Sequence, residues 1–108
     1  MPDEFDNRPW SEIYRVAGED WVDKEAAAQL LEDTKSSVMA QKQALYGDIP
    51  VNKAEQKVKA SKEWEDHIKK IVAARQAANH AKIHLEYVRM AAWEENNKNA
   101  NARAELRL

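Results

Sequence analysis

The second half of the chain contains no glycine or proline after Pro50. Within it, apolar residues and one histidine recur at alternating steps of three and four, the pattern of two helices that cross at a shallow angle. These seam positions are Trp64, His67, Ile71, Ala74, Ala78, Ala81, Leu85, Val88 and Ala92. Because nothing interrupts the pattern, it predicts one long helix that begins near Asn52 and continues toward Leu108.

Shorter helices are predicted before this long helix. Pro9 suits a first helical position and Gly18 a C-terminal end, so residues 9–17 predict a two-turn helix. Asp23 is a suitable N-cap for a second helix, which Gly47 would close. The expected fold is all-α, with a short N-terminal helix in residues 1–22 and a helical hairpin in residues 23–108. A chain of 108 residues, 33% of them charged, fits a single helical domain.

The long helix extends beyond its hairpin partner after about residue 77, if the hairpin turns near Pro50. A two-turn N-terminal helix covers too little of a seam that runs to Ala92. The pattern therefore predicts a homodimer with an interchain helical bundle. The predicted self-association residues are Ala78, Ala81, Leu85 and Val88.

No motif commits the chain to a reaction. His80 and His84 have a spacing that zinc ligands use, but a third ligand and the HExxH motif are missing. The chain has 0 cysteines, which excludes disulfides and thiolate metal sites. His67 is interpreted as a buried polar residue that sets helix register rather than as a catalytic base. The prediction is a non-enzymatic protein without catalytic residues, metal or cofactor.

Acids and bases are distributed unevenly along the chain. Residues 1–34 carry three bases and ten acids, a net charge of −7, whereas residues 35–108 carry 14 bases and nine acids, a net charge of +5. A row of cations keeps one phase along the long helix: Arg75, Lys82, Arg89 and, two heptads further, Arg103. Such a row can follow the phosphates of single-stranded DNA, with Tyr87 or Trp93 stacking on bases. The alternative is that these cations pair with acids of a partner helix.

The sequence contains no targeting or membrane signal. No apolar run approaches the roughly 18 residues that a membrane span needs, and the acidic opening MPDEFDNRPW does not resemble a signal peptide. The expected location is the cytoplasm of the host cell, without membrane contact.

Three phrases of the sequence, GDIPVNKAEQKVKAS, ARQAANHAKIHLEYVRM and the terminal ARAELRL, resemble a group of small, mostly uncharacterised bacteriophage and prophage proteins. The resemblance covers residues 26–108. It implies a gene among phage DNA-metabolism functions, which include single-strand annealing and recombination. It assigns no functional residues.

Three functions remain open at this point. The first is a non-enzymatic phage accessory protein of DNA recombination or replication that binds single-stranded DNA or an annealing protein through the row of cations. The second is a protein–protein inhibitor or adaptor that acts on a host factor, for example in a defence system, through the acidic N-terminal part. The third is a structural helical scaffold.

Overall fold

Four helices make up most of the chain in a computed structural model that describes residues 7–107. They are α1 (Trp10–Asp33), α2 (Lys35–Ala44), α3 (Val51–Lys59) and α4 (Lys62–Leu106). Residues 7–107 contain no strand. The predicted all-α class and the long C-terminal helix are therefore confirmed.

Helix α1 continues past Gly18, where the sequence predicted a helix end, and reaches Asp33 without a break. The backbone of Gly18 does not adopt a positive φ. Ile13 and Ala17 before it and Ala28 after it are buried and lie on one face of the helix. Burial along a continuous face outweighs the cost of roughly 1 kcal/mol for a glycine inside a helix. The predicted first helix and the first part of the predicted second helix are therefore one helix, and the second predicted helix is divided at Thr34, where α1 ends and α2 begins.

The long helix predicted from Asn52 is interrupted at Ala60 and Ser61. The Ser61 hydroxyl accepts a hydrogen bond from the backbone N–H of Trp64 at 3.2 Å and donates one to the carbonyl of Val58 at 2.6 Å. A serine in this position satisfies an N–H of the first helical turn, which has no acceptor within the helix. Ser61 is therefore the N-cap of α4, and α3 is a separate helix.

The chain divides into two compact units. The first unit contains the chain up to Asp23 and the chain from Asn79 onward. Its core consists of Ile13, Ala17 and Val88, with Trp10 and Leu85 packed against them. A single domain for residues 1–108 stays a prediction.

The second unit is Lys24–Ala78, in which α2 packs against α3. Gly47 lies between these helices with a φ of 69°, a left-handed conformation that suits its predicted role after a helix end. The Thr34 hydroxyl donates to the carbonyl of Leu30 at 2.8 Å, a contact that competes with regular helix geometry where α1 gives way to α2. The buried side chains of this unit are Ala28, Ala54, Val58, Trp64, Ile71 and Ala78.

The predicted seam of α4 is confirmed. Each of its nine positions, from Trp64 to Ala92, is buried or half-buried, and the residues between them are mostly exposed. The periodicity of three and four thus identifies the face of α4 that packs inside the fold.

Candidate binding surfaces

Arg75, the first residue of the predicted row of cations, is bound by two carboxylates of α1. Its guanidinium donates to both carboxylate oxygens of Glu32, at 2.8 Å and 2.6 Å, and to Glu25 at 2.7 Å. These hydrogen bonds lower the pKa of Glu32 below its usual value and raise the pKa of Arg75. Arg75 therefore pairs with acids of a neighbouring helix, as in the alternative interpretation of the row of cations. Its positive charge is already balanced.

The other three cations of the row are placed differently. Arg103 donates to the backbone oxygen of Asn99, one turn earlier in α4, at 3.3 Å. Lys82 and Arg89 are exposed and form no ion pair with any of residues 7–107. They lie seven residues apart on one edge of α4, and Trp93 follows Arg89 by four residues on the same edge. The unpaired part of the row is thus two exposed cations beside an aromatic ring.

The predicted self-association residues are covered by their own chain. Ala78, Ala81 and Val88 are buried, and Leu85 is half-buried beside Gly18. The prediction assumed a two-turn N-terminal helix, whereas α1 has 24 residues, and its Ile13 and Ala17 form one core cluster with Val88, against which Leu85 packs. A homodimer through these four residues stays a prediction, but their burial does not require a second copy.

The three histidines are dispersed along α4. The His84 ring lies nearly parallel to the Tyr87 ring, with centroids 6.4 Å apart, and His80 is exposed. His67 lies 5.6 Å from the Trp64 ring, and its buried Nε2 has no hydrogen-bond partner among the described residues. No group of three metal-ligating residues occurs in the part of the chain that the structure describes.

An apolar cleft of about 390 Å³ opens over Gly18 in the first unit. Its lining residues are Tyr14, Arg15, Gly18, Glu19, Trp21, Val22, Asp23 and Leu85. Val22, in its wall, is 57% exposed. Its volume lies within the range of roughly 300–1,000 Å³ that is typical of binding clefts. This cleft is called the Gly18 notch below.

Gly18 has no side chain that could fill the notch. A Cβ atom at this position would lie 3.8 Å from Cδ1 of Leu85, which is an ordinary contact, and the φ angle is not positive. Neither the backbone nor a close neighbour therefore requires a glycine here. Sequence reasoning missed the notch because it took Gly18 for a helix end. The signal available was the apolar phase that Ile13, Ala17 and Trp21 share on its two sides.

The rim of the Gly18 notch is acidic. Arg15 forms hydrogen bonds to Glu12 and also to Glu19, the latter at 2.8 Å, so its positive charge is balanced. The hydrogen bond from Arg15 lowers the pKa of Glu12, which keeps that carboxylate ionised. With Asp20 and Asp23, residues 10–23 carry four acids against one base. The lining itself carries Glu19 and Asp23 against Arg15, and this net negative charge favours a cationic partner.

A second apolar surface of the first unit lies on α4. It consists of Ile83, Tyr87, Met90 and Trp93, which are 64%, 44%, 60% and 66% exposed, and it is called the outer face of α4 below. Steps of four, three and three residues place these side chains on one side of the helix, opposite the buried Val88. A cleft of about 270 Å³ lies at its end beside Arg89, Met90, Trp93 and Glu94.

The second unit contains a larger cleft of about 440 Å³. Its lining residues are Glu32, Lys35, Ser36, Met39, Glu55, Lys59 and Trp64. Glu55 pairs with Lys59 at 2.8 Å, and Glu32 pairs with Arg75. Three of the four charged residues in its lining are therefore already in ion pairs.

The fold and these surfaces define a small all-α protein with two apolar surfaces in one of its units. No known protein family matches the chain, and no curated protein or solved structure shows significant similarity to it. The resemblance to phage proteins therefore stays an expectation from the sequence. Among the described helices, none combines the length and the apolar character that crossing a membrane requires.

Proposed function

We propose that the chain is a non-enzymatic binding protein, an adaptor or inhibitor, that holds an apolar side chain of a partner protein in the Gly18 notch. The observation that carries this proposal is a glycine in the interior of α1 that leaves an apolar cleft open over Leu85. Such a glycine costs about 1 kcal/mol relative to alanine. A helix position where glycine or alanine leaves a cleft open, and where a longer side chain would fill it, is typical of a site that needs the space.

The lining of the notch supports an apolar contact. Val22 and Tyr14 expose about half of their side-chain surface at its walls, and Leu85 lies at its floor. Each buried methylene group contributes about 0.8 kcal/mol to the free energy of association. One leucine or methionine of a partner that fills the notch would therefore stabilise the complex substantially. Anchors of this kind carry most of the affinity in protein–protein interfaces.

The acidic rim supports a partner with lysine or arginine beside its apolar anchor. The net charge of −3 in residues 10–23 attracts such a segment and repels acidic surfaces, which includes DNA. This is the acidic surface that the sequence associated with an inhibitor or adaptor. The proposed setting, phage DNA recombination or replication or an attack on a host factor, rests on the resemblance alone.

The proposal is tested with a matched pair of substitutions at one position. Gly18→Met fills the notch, whereas Gly18→Ala adds only a Cβ atom at an ordinary distance from Leu85. Both variants are used as baits in nuclease-treated extracts of phage-infected cells, after circular dichroism has shown equal helix content. We expect a partner protein that binds the original chain and Gly18→Ala but does not bind Gly18→Met. Equal recovery with both variants contradicts the proposal.

A second candidate is single-stranded DNA binding along one edge of α4. It is favoured by the exposed Lys82 and Arg89, which have no ion pair with the described residues, and by Trp93 beside them. Cations would contact phosphates and the indole ring would stack on a base, without reading sequence. Arg75 is not included, because Glu25 and Glu32 balance its charge.

Salt dependence distinguishes this candidate from protein binding. Anisotropy of a labelled oligothymidylate, measured at several salt concentrations, gives the binding constant at each. The slope of the logarithm of this constant against the logarithm of the salt concentration should decrease in magnitude by about 0.7 for each phosphate that the protein no longer neutralises. Lys82→Gln with Arg89→Gln should free two phosphates. Lys35→Gln with Lys70→Gln removes the same charge from the other unit and serves as the control. If the two double variants bind the oligonucleotide equally well, net charge alone explains the binding and this candidate fails.

A further inference from the structure

We infer that the outer face of α4 is an interface between two copies of this chain, which pack with their α4 helices antiparallel. The inference goes beyond the proposed function, because it concerns a different surface from the Gly18 notch. It also differs from the predicted homodimer, whose contact residues are covered within the chain.

The outer face presents four large apolar side chains to water. Ile83, Met90 and Trp93 each expose at least 60% of their surface, and Tyr87 exposes 44%. Together they amount to on the order of 400 Å² of contiguous apolar surface, within the size range of patches that bind other molecules. Patches of this size are often binding surfaces, and the charges beside this one indicate its occupant.

The charges beside the outer face indicate that the partner is a second copy. Glu86 and Arg89 lie three residues apart on one edge of α4, yet they form no ion pair with each other. In a pair of antiparallel helices related by a two-fold axis, the same edge of each helix meets in the interface. A residue a given number of positions before the axis then lies opposite the residue of the other copy that is the same number of positions after it. An axis near residue 88 places Arg89 of one copy beside Glu86 of the other copy, in both directions.

The same axis matches the remaining side chains. Lys82 of one copy lies level with the Trp93 ring of the other copy, an arrangement that favours a cation–π contact. Tyr87 and Met90 are offset by only about 3 Å along the helix axis, so apolar side chains meet across the centre. In a parallel pair related by a two-fold axis, opposite edges of the two helices would meet, so Arg89 and Glu86, which share one edge, would not face each other. The antiparallel pair is therefore self-complementary.

The acids in this stretch of α4 also argue against nucleic acid as the occupant of the outer face. Glu86, Glu94 and Glu95 balance Lys82 and Arg89 over this stretch, and a surface without excess positive charge gains little from phosphates. A stable protein interface buries about 800 Å² on each partner, and the outer face supplies about half of that as apolar area. The dimer is therefore expected to dissociate in the micromolar range.

Sedimentation equilibrium of the full chain over a range of micromolar concentrations tests the inference. We expect a monomer–dimer equilibrium, which Met90→Glu weakens by about tenfold or more because a charge replaces a central apolar contact. The helix content of the monomer should not change, since Met90 is exposed in the single chain. A chain that is monomeric throughout, or a dimer that Met90→Glu leaves intact, overturns the inference.

A charge exchange tests the antiparallel arrangement. Arg89→Glu alone and Glu86→Arg alone should each weaken the dimer, because each brings like charges together, and the double variant should restore it. Failure of the double variant to restore the dimer overturns the arrangement. Association that appears only after an oligonucleotide is added assigns the outer face to nucleic acid and overturns the inference.

The result is separable from the proposed function. Gly18→Met should leave the dimer intact, because the Gly18 notch lies on another surface. A monomeric Met90→Glu variant that still binds a partner through the notch would leave the proposed function standing. Equal partner binding by Gly18→Ala and Gly18→Met, with the dimer intact, would contradict the proposed function and support the inference.

Discussion

Arg75 and Glu32 lie 43 residues apart in the sequence and form a two-point contact, Nε to Oε2 at 2.8 Å and Nη2 to Oε1 at 2.6 Å. Paired hydrogen bonds of this kind fix the orientation of the two groups as well as their distance. Arg75 is on α4 and Glu32 on α1. Within the unit Lys24–Ala78, the contact therefore restricts how far one helix can slide along the other.

The contact makes stability depend on pH. Its hydrogen bonds lower the pKa of Glu32 from the ordinary value of 4.5 in the folded chain. A lowered pKa adds stability above the unfolded pKa, and this contribution disappears as the pH falls through the folded pKa. Glu32→Gln should therefore decrease the free energy of unfolding at neutral pH, and the difference should shrink below about pH 4.5. Urea unfolding across this range measures it.

The control for this prediction is the same substitution in a chain that lacks the partner. In an Arg75→Gln background, Glu32→Gln should no longer change how the free energy of unfolding depends on pH, since the lowered pKa arises from Arg75. An equal effect in both backgrounds would show that another group sets the ionisation of Glu32.

Gly18→Ala is predicted to stabilise the chain. Alanine is favoured over glycine inside a helix by about 1 kcal/mol, and the new Cβ atom lies 3.8 Å from Leu85, so no strain opposes the gain. A gain of this size raises the melting temperature by several degrees in a chain of this length. Calorimetry measures it. A lower melting temperature would mean that the space over Gly18 is needed for folding rather than for binding.

Val88→Ala is predicted to destabilise the chain by the same amount at low and high protein concentration. Val88 is completely buried among Ile13 and Ala17 of its own chain, so its truncation leaves a cavity with a cost of about 1.5–3 kcal/mol. Val72→Ala, at a half-exposed position of α4, is the matched control and should change the free energy of unfolding by less than about 0.5 kcal/mol.

The concentration dependence decides where the cover of Val88 comes from. A loss of stability that grows on dilution would indicate that a second copy also covers Val88, as the sequence predicted. A loss that is independent of concentration agrees with cover by α1 alone.

The sequence predicted the packed face of α4 well, because burial in a helix follows a period that residue types reveal directly. It did not predict that α1 continues through Gly18 or that Ser61 interrupts the long helix. Caps and glycines are each worth about 1 kcal/mol, so the burial gained elsewhere decides whether a local signal ends a helix. The carboxylates that bind Arg75 could not be predicted either, because they depend on the register between α1 and α4.

Ser61→Ala tests how the boundary between α3 and α4 is maintained. The substitution removes the acceptor for the Trp64 N–H and the donor to the Val58 carbonyl. Loss of an N-cap costs about 0.5–2 kcal/mol, and the effect should be near 1 kcal/mol because water can reach the half-buried site. Ser37→Ala is the control, since Ser37 is an exposed residue inside α2 and alanine is the better helix former there. Thermal unfolding should separate the two variants. If Ser61→Ala is as stable as Ser37→Ala and its helix content rises, α3 and α4 have joined, and the cap rather than the packing of Val58 and Trp64 keeps them apart.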